Sequence, residues 1–171
     1  MLTIIIAVPV FLGALLLYAA TKPGSSRSIH ISAPPERIFP LIDNLRVMNE
    51  WNPFVKADPD IKLSYSGPAN GVGAANVFDG NGKVGSGRAE IVESVHPSKI
   101  VMALRMVRPM KCQNRVEFRI TLCSDGADVT WAMSGRQPFI GKLMSVFINT
   151  EKMVGGAFES GLAELKAKVE A

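Results

Sequence analysis

Charged residues make up only 20% of this 171-residue chain, and it has just two histidines and two cysteines. Each scarcity removes a class of function. Two cysteines are too few for a disulfide framework. Cys112 and Cys123 lie in or beside one apparent strand at an odd separation, so they point to opposite faces and are expected as free thiols. His30, His96 and the cysteines stand at unrelated intervals, so there is no zinc-ligand spacing, and neither a metal nor a cofactor is expected. No G-x-S-x-G elbow marks a hydrolytic nucleophile. Gly71-Val72-Gly73 and the stretch Gly80 to Gly87 are glycine-rich, but they lack the Lys-Ser/Thr ending of a phosphate loop and open no helix; hairpin turns explain them. The net charge of +4 is carried by dispersed cations without aromatic interleaving, which argues against nucleic acid as a partner. No repeat or low-complexity tract interrupts the chain.

What the chain has in excess is apolar residues, 47% in all, with a concentration at the front. Leu2 to Ala20 contains no charge, and at about 1.5 Å per residue it just spans a hydrocarbon core of roughly 30 Å. Tyr18 suits a membrane interface, and Lys22 with Pro23-Gly24 ends the run. A cleaved signal peptide fits less well, because no side-chain cation precedes the run and Tyr18-Ala19-Ala20 is a poor cleavage site. Residues 1–21 are therefore read as a transmembrane anchor, 22–27 as a linker and 28–171 as one folded domain. Lys22 and Arg27 follow the helix, so the positive-inside bias places that domain in the cytoplasm of a single-pass membrane protein.

Beyond the linker, Ser28 to Ile31 alternates as a strand with Ile29 and Ile31 inward. Ser32 is the expected N-cap of a short helix through Ile38, Phe39, Leu41 and Ile42, shortened or kinked by Pro40. A second turn is expected over Leu45 to Trp51. Ile61, Leu63 and Tyr65 alternate, Ala75 to Phe78 returns, and Asp79-Gly80-Asn81-Gly82 signals a hairpin. The next strand carries Ala89, Ile91 and Val95 on one face. Ile100, Met102, Leu104 and Met106 share a face, as do Val116, Phe118, Ile120 and Leu122, and then Ala127, Val129, Trp131 and Met133. From about Phe139 to Val169 the period becomes helical, with Phe147, Val154, Phe158, Leu162, Leu165 and Val169 on one stripe. Gly155, Gly156 and Gly161 inside that helix each cost about 1 kcal/mol relative to alanine, so they imply close packing, a bend or room for a ligand. The fold class is α+β: a curved antiparallel sheet of about seven strands around one long C-terminal helix, with a cavity in the gap.

Several of these residues carry a family resemblance. Ile31-Ser32-Ala33-Pro34-Pro35-Glu36-Arg37-Ile38-Phe39 resembles the I-x-A-P-x-x-x-V-F opening of the START and polyketide cyclase-like superfamily, SRPBCC. Trp51-Asn52-Pro53-Phe54 is similar to its W-x-P element. Gly87 to Ile91 with Glu93 and Pro97, Asp128-Val129-Thr130-Trp131, and Gly161-Leu162-Ala163-Glu164-Leu165-Lys166 look like later landmarks of its polyketide cyclase/dehydrase branch. The resemblance implies a helix-grip fold and a hydrophobic ligand. Its members bind lipids, sterols, polyketides or plant hormones, while others are cyclases, toxins or chaperone cofactors, so it does not choose a reaction.

The candidate ligand-binding residues follow, each with an alternative in core packing. Trp51 and Phe54 come where this fold opens its cavity, and suit an entrance or a packed sheet edge. Trp131 offers a flat wall, and its indole N–H requires a partner if buried. Met102, Met106 and Met133, beside Phe118, adapt to irregular apolar surfaces or fill a core. Phe147, Val154 and Phe158 face the sheet as a lid. Glu93 shares the parity of Ala89 and Ile91, so it either points inward or reaches water at the strand end; it is the one acid-base candidate. The leading expectation is a membrane-anchored binding domain for a hydrophobic small molecule or lipid. A cyclase/dehydratase-like enzyme and a protein-interaction module at the membrane are the alternatives.

Overall fold

A computed structural model describes residues 24–136 and 150–171. Seven strands form one antiparallel sheet: β1 (Ser25–Ile31), β2 (Lys62–Ser66), β3 (Ala75–Asp79), β4 (Ser86–Val95), β5 (Lys99–Arg108), β6 (Cys112–Cys123) and β7 (Gly126–Arg136). Their order across the sheet is β1-β7-β6-β5-β4-β3-β2. Only the closure of β1 onto β7 joins strands distant in sequence; every other neighbour is a sequential hairpin. Four short helices, α1 (Pro35–Ile38), α2 (Pro40–Asp43), α3 (Leu45–Trp51) and α4 (Pro53–Lys56), connect β1 to β2, and α5 (Thr150–Glu170) ends the chain.

The alternating strands behave as their periodicity requires. Ile100, Phe118, Val129 and Ile31 are buried on the inner face beneath Phe158, Leu162, Leu165 and Val169 of α5. Trp51, Phe118 and Phe158 are among the largest fully buried side chains, and burying each such side chain contributes about 1.5–3 kcal/mol. Both cysteines are free and sit at opposite ends of β6.

Some local expectations differ. β1 begins at Ser25, three residues inside the stretch read as linker. Ser32 does not cap α1: Pro34 occupies the cap position, and the Ser32 amide instead donates to Glu170 at the far end of the chain. Pro40 splits the expected helix into α1 and α2. α3 is capped by Asn44, whose side chain accepts from the Arg46 and Val47 amides. The hairpin after β3 is longer than its Asn-Gly signal implies. Gly85, not Gly82, adopts the positive φ, and the Asn81 side chain organises the turn by accepting from Lys83 and Val84.

The expected single-pass membrane localisation is corrected: no helix among the described residues is long and apolar enough to cross a membrane. The apolar run over residues 1–21, on which that expectation and the cytoplasmic placement rested, lies outside the described residues.

Candidate functional site

The concave side of the sheet, facing α5, gathers most of the expected ligand-binding residues, and they divide into two groups. The first is an aromatic cluster. Trp131 stacks on Phe158 with ring centroids 4.3 Å apart and lies 4.8 Å from Phe118. Trp51 packs edge-on to both Phe118 and Trp131. Gly161 makes the cluster possible, because a Cβ there would come within 2.7 Å of the Trp131 ring and 2.8 Å of Pro53. Trp51, Met102, Phe118, Trp131 and Phe158 are all buried, and Trp51 donates its indole N–H to the Leu41 carbonyl at 2.9 Å. Phe54, on α4, is 37% exposed and touches both Trp131 and Phe158 edge-on, so it stands at the rim of the cluster.

The second group lies further along the same face. Leu104, Met106, Met133 and Val154 are half-buried. Phe78, which the sequence reading did not single out, belongs with them. It pairs with Gly87, which pairs in turn with Met106, and its ring occupies the space a Gly87 side chain would need. Polar groups surround this region. Tyr65 accepts a hydrogen bond from Asn49 at 3.1 Å and carries the Arg46 guanidinium over its ring, while Asn114 shares the inward face of β6 with Cys112. Phe147 lies outside the described residues.

One polar atom in this site stands alone. The Trp131 indole N–H is buried and has no hydrogen-bond partner among the described residues. A buried donor left unpaired costs about 1–3 kcal/mol.

Glu93 is not in the site. A β-bulge at Val92 shifts the register, so that Ile91 faces Met102 while Glu93 faces Val101 on the outer side. There Glu93 pairs with Lys99 and Arg115, in a chain of charges that continues through Glu117 to Arg119. The hydrogen bond from Arg119, reinforced by Arg115, holds the Glu117 carboxyl below the usual glutamate range despite partial burial. The bulge turns Ser94 inward instead, where its hydroxyl donates to the buried Asp43 carboxylate at 2.7 Å. The nomination of Glu93 for acid-base chemistry is therefore withdrawn. His96 is exposed at its turn, and His30 lies on the outer face. Among the described residues the concave side holds no histidine–carboxylate pair.

The helical glycines have separate explanations. Gly155 is buried where a side chain would run into the Arg27 guanidinium, which reaches from β1 to Glu159 at 2.6 Å. Gly161 accommodates Trp131. A side chain at Gly156 would meet nothing within 4 Å among the described residues.

A family model described as polyketide cyclase / dehydrase and lipid transport matches residues 23–170. The chain belongs to that family. No curated protein matches it in sequence. Solved structures similar to this family member include CV1439 from Chromobacterium violaceum. That protein is 18% identical, with a TM-score of 0.61 over 85% of this chain and 96% of its own. TTHA0849 from Thermus thermophilus gives 17% identity and a TM-score of 0.61 over 86% and 97%. DynU16, from the dynemicin biosynthetic locus, gives 13% and 0.58 over 88% of this chain and 48% of its own. At such identities the likeness is one of fold, and the shared fold is the helix-grip arrangement of sheet and C-terminal helix.

Proposed function

We propose that the domain binds an apolar small molecule or lipid-like molecule on the concave side of the sheet, and that it does so without converting it. The observation that carries this reading is the indole N–H of Trp131, buried and without a hydrogen-bond partner among the described residues, in the aromatic cluster on the same face as the half-buried Leu104, Met106 and Met133. A ligand whose carbonyl or hydroxyl accepts from Trp131 while its hydrocarbon lies along that row would satisfy both features at once. Burial of hydrocarbon at about 25 cal/mol per Å² supplies the driving force. Phe54 is the entrance residue in this reading. Trp51, Met102, Phe118 and Phe158 form the floor, and Met106, Met133 and Val154 the adaptable wall.

The family's cyclase/dehydrase chemistry has less to support it here, because Glu93 faces outward and the buried carboxylate on the inward side, Asp43, is engaged by the Ser94 hydroxyl. The interaction-module reading required an exposed apolar patch at Trp51 and Phe54, and Trp51 is 1% exposed. Native mass spectrometry with lipid extraction, on protein purified from its own host, tests the proposal. A stoichiometric apolar passenger supports binding. An empty, stable protein that takes up no apolar probe overturns it.

A further inference from the structure

On the outer face of the sheet, the side turned away from α5, three potential metal ligands converge from three strands. His30 of β1 pairs directly with Asp128 of β7, and its Nδ1 lies 3.0 Å from the Asp128 Oδ1. Asp128 is opposite Thr121 of β6, so Cys123, two residues on and on the same outer face, is its diagonal neighbour. One ligand atom from each of His30, Cys123 and Asp128 lies within 4.8 Å of the other two. Ligand atoms about 2.0–2.3 Å from a tetrahedral ion are roughly 3.3–3.8 Å from one another, so modest rotamer adjustment closes the set.

We propose that His30, Cys123 and Asp128 bind a borderline divalent transition ion of the zinc type. The donor set decides the class. Imidazole nitrogen and thiolate sulfur are poor ligands for magnesium or calcium, which take oxygen, and suit zinc or cobalt. A neutral imidazole, a thiolate and a carboxylate together carry two negative charges, matching a dication. The surroundings leave that charge available, because the ion pairs of Asp125 and Asp128 among the described residues run to His30 alone. The second shell fits as well. The His30 Nε2 is shielded from solvent without a hydrogen bond, and the Asp125 Oδ1 lies 3.5 Å from it. With Nδ1 on the metal, the Nε2–H faces Asp125, the carboxylate–histidine arrangement that orients metal-bound imidazoles. Three protein ligands leave a fourth position for water. The ligands stand 93 and 5 residues apart in the chain, so only the strand pairing reveals them.

The test uses the full chain, reduced and stripped of metal by a chelator, then titrated with cobalt(II) and back-titrated with zinc(II). One equivalent of cobalt should produce a thiolate-to-metal charge-transfer absorption in the near ultraviolet, and zinc should displace it. Cys123→Ser should abolish that band, Cys112→Ser should leave it intact, and His30→Gln or Asp128→Asn should weaken binding at least tenfold. Far-ultraviolet circular dichroism checks that each variant is folded. Absence of the band in the unmodified chain overturns the site, as does a band that survives Cys123→Ser or vanishes in Cys112→Ser.

Discussion

The two ends of the concave face are built on the same strands and bury themselves very differently. Under the middle and last turns of α5, Phe118, Trp131, Phe158, Leu162 and Leu165 pack until almost nothing is exposed. Further along β5 and β7, Leu104, Met106 and Met133 are only half-buried. Rigid aromatic rings in stacked and edge-on contact specify one packing, whereas unbranched thioethers accept several. One end of the face is therefore fixed in a single packing, and the other can take up several.

The strongest way to break that contrast is to truncate a residue at each end. Phe158→Ala should cost about 3–5 kcal/mol in denaturant-induced unfolding, while Met106→Ala should cost about 1 kcal/mol or less. Equal losses would mean the two ends are one core. Gly161→Ala comes next, since its methyl must displace Trp131 or Pro53; about 1–3 kcal/mol should be lost, whereas Gly156→Ala, with open space around it, should gain up to about 1 kcal/mol. Trp131→Phe sharpens the comparison at the boundary. Removing an N–H that lacks a partner among the described residues offsets the loss of the larger ring, so unfolding stability should change little. Binding of an apolar probe that carries a carbonyl should weaken about fivefold, the loss of one hydrogen bond of about 1 kcal/mol. Unchanged affinity would take Trp131 out of ligand recognition.

The smallest effect belongs to the outer face. The native Glu117 carboxyl titrates lower than the unfolded one, so its stabilisation is present above the unfolded value of about 4.3 and is lost as pH falls below it. Thermal scans from pH 6 to about pH 3 should therefore show Glu117→Gln falling less steeply than the unmodified chain, by about 0.5 kcal/mol. Parallel curves would assign the acid sensitivity to other carboxylates.

The architecture was largely legible in the sequence, because alternation over β5, β6 and β7 assigns faces and the stripe from Val154 to Val169 assigns the helix. The site was legible in part. Parity assigned Trp131, Met106 and Met133 to the inner face and the W-x-P resemblance pointed to Phe54, but parity failed at Val92, where one extra residue reverses every later side chain of the strand without any glycine or proline to announce it. The side of Glu93 was left open and the Ser94–Asp43 contact missed for that single reason. His30, Cys123 and Asp128 escaped because their proximity exists only in the β1-β7-β6 pairing. Phe78 was hidden by the same limitation, since only register shows that Gly87 makes room for it.

The C-terminal end of α5 is held by three separate bonds to the first corner of the domain: Glu170 to the Ser32 amide, Lys166 to the His30 carbonyl, and the Val169 carbonyl to Arg37. Arg27 of β1 is tied to Glu159 nearer the start of the same helix, so two segments far apart in the chain are stitched together along one edge of the domain at more than one place.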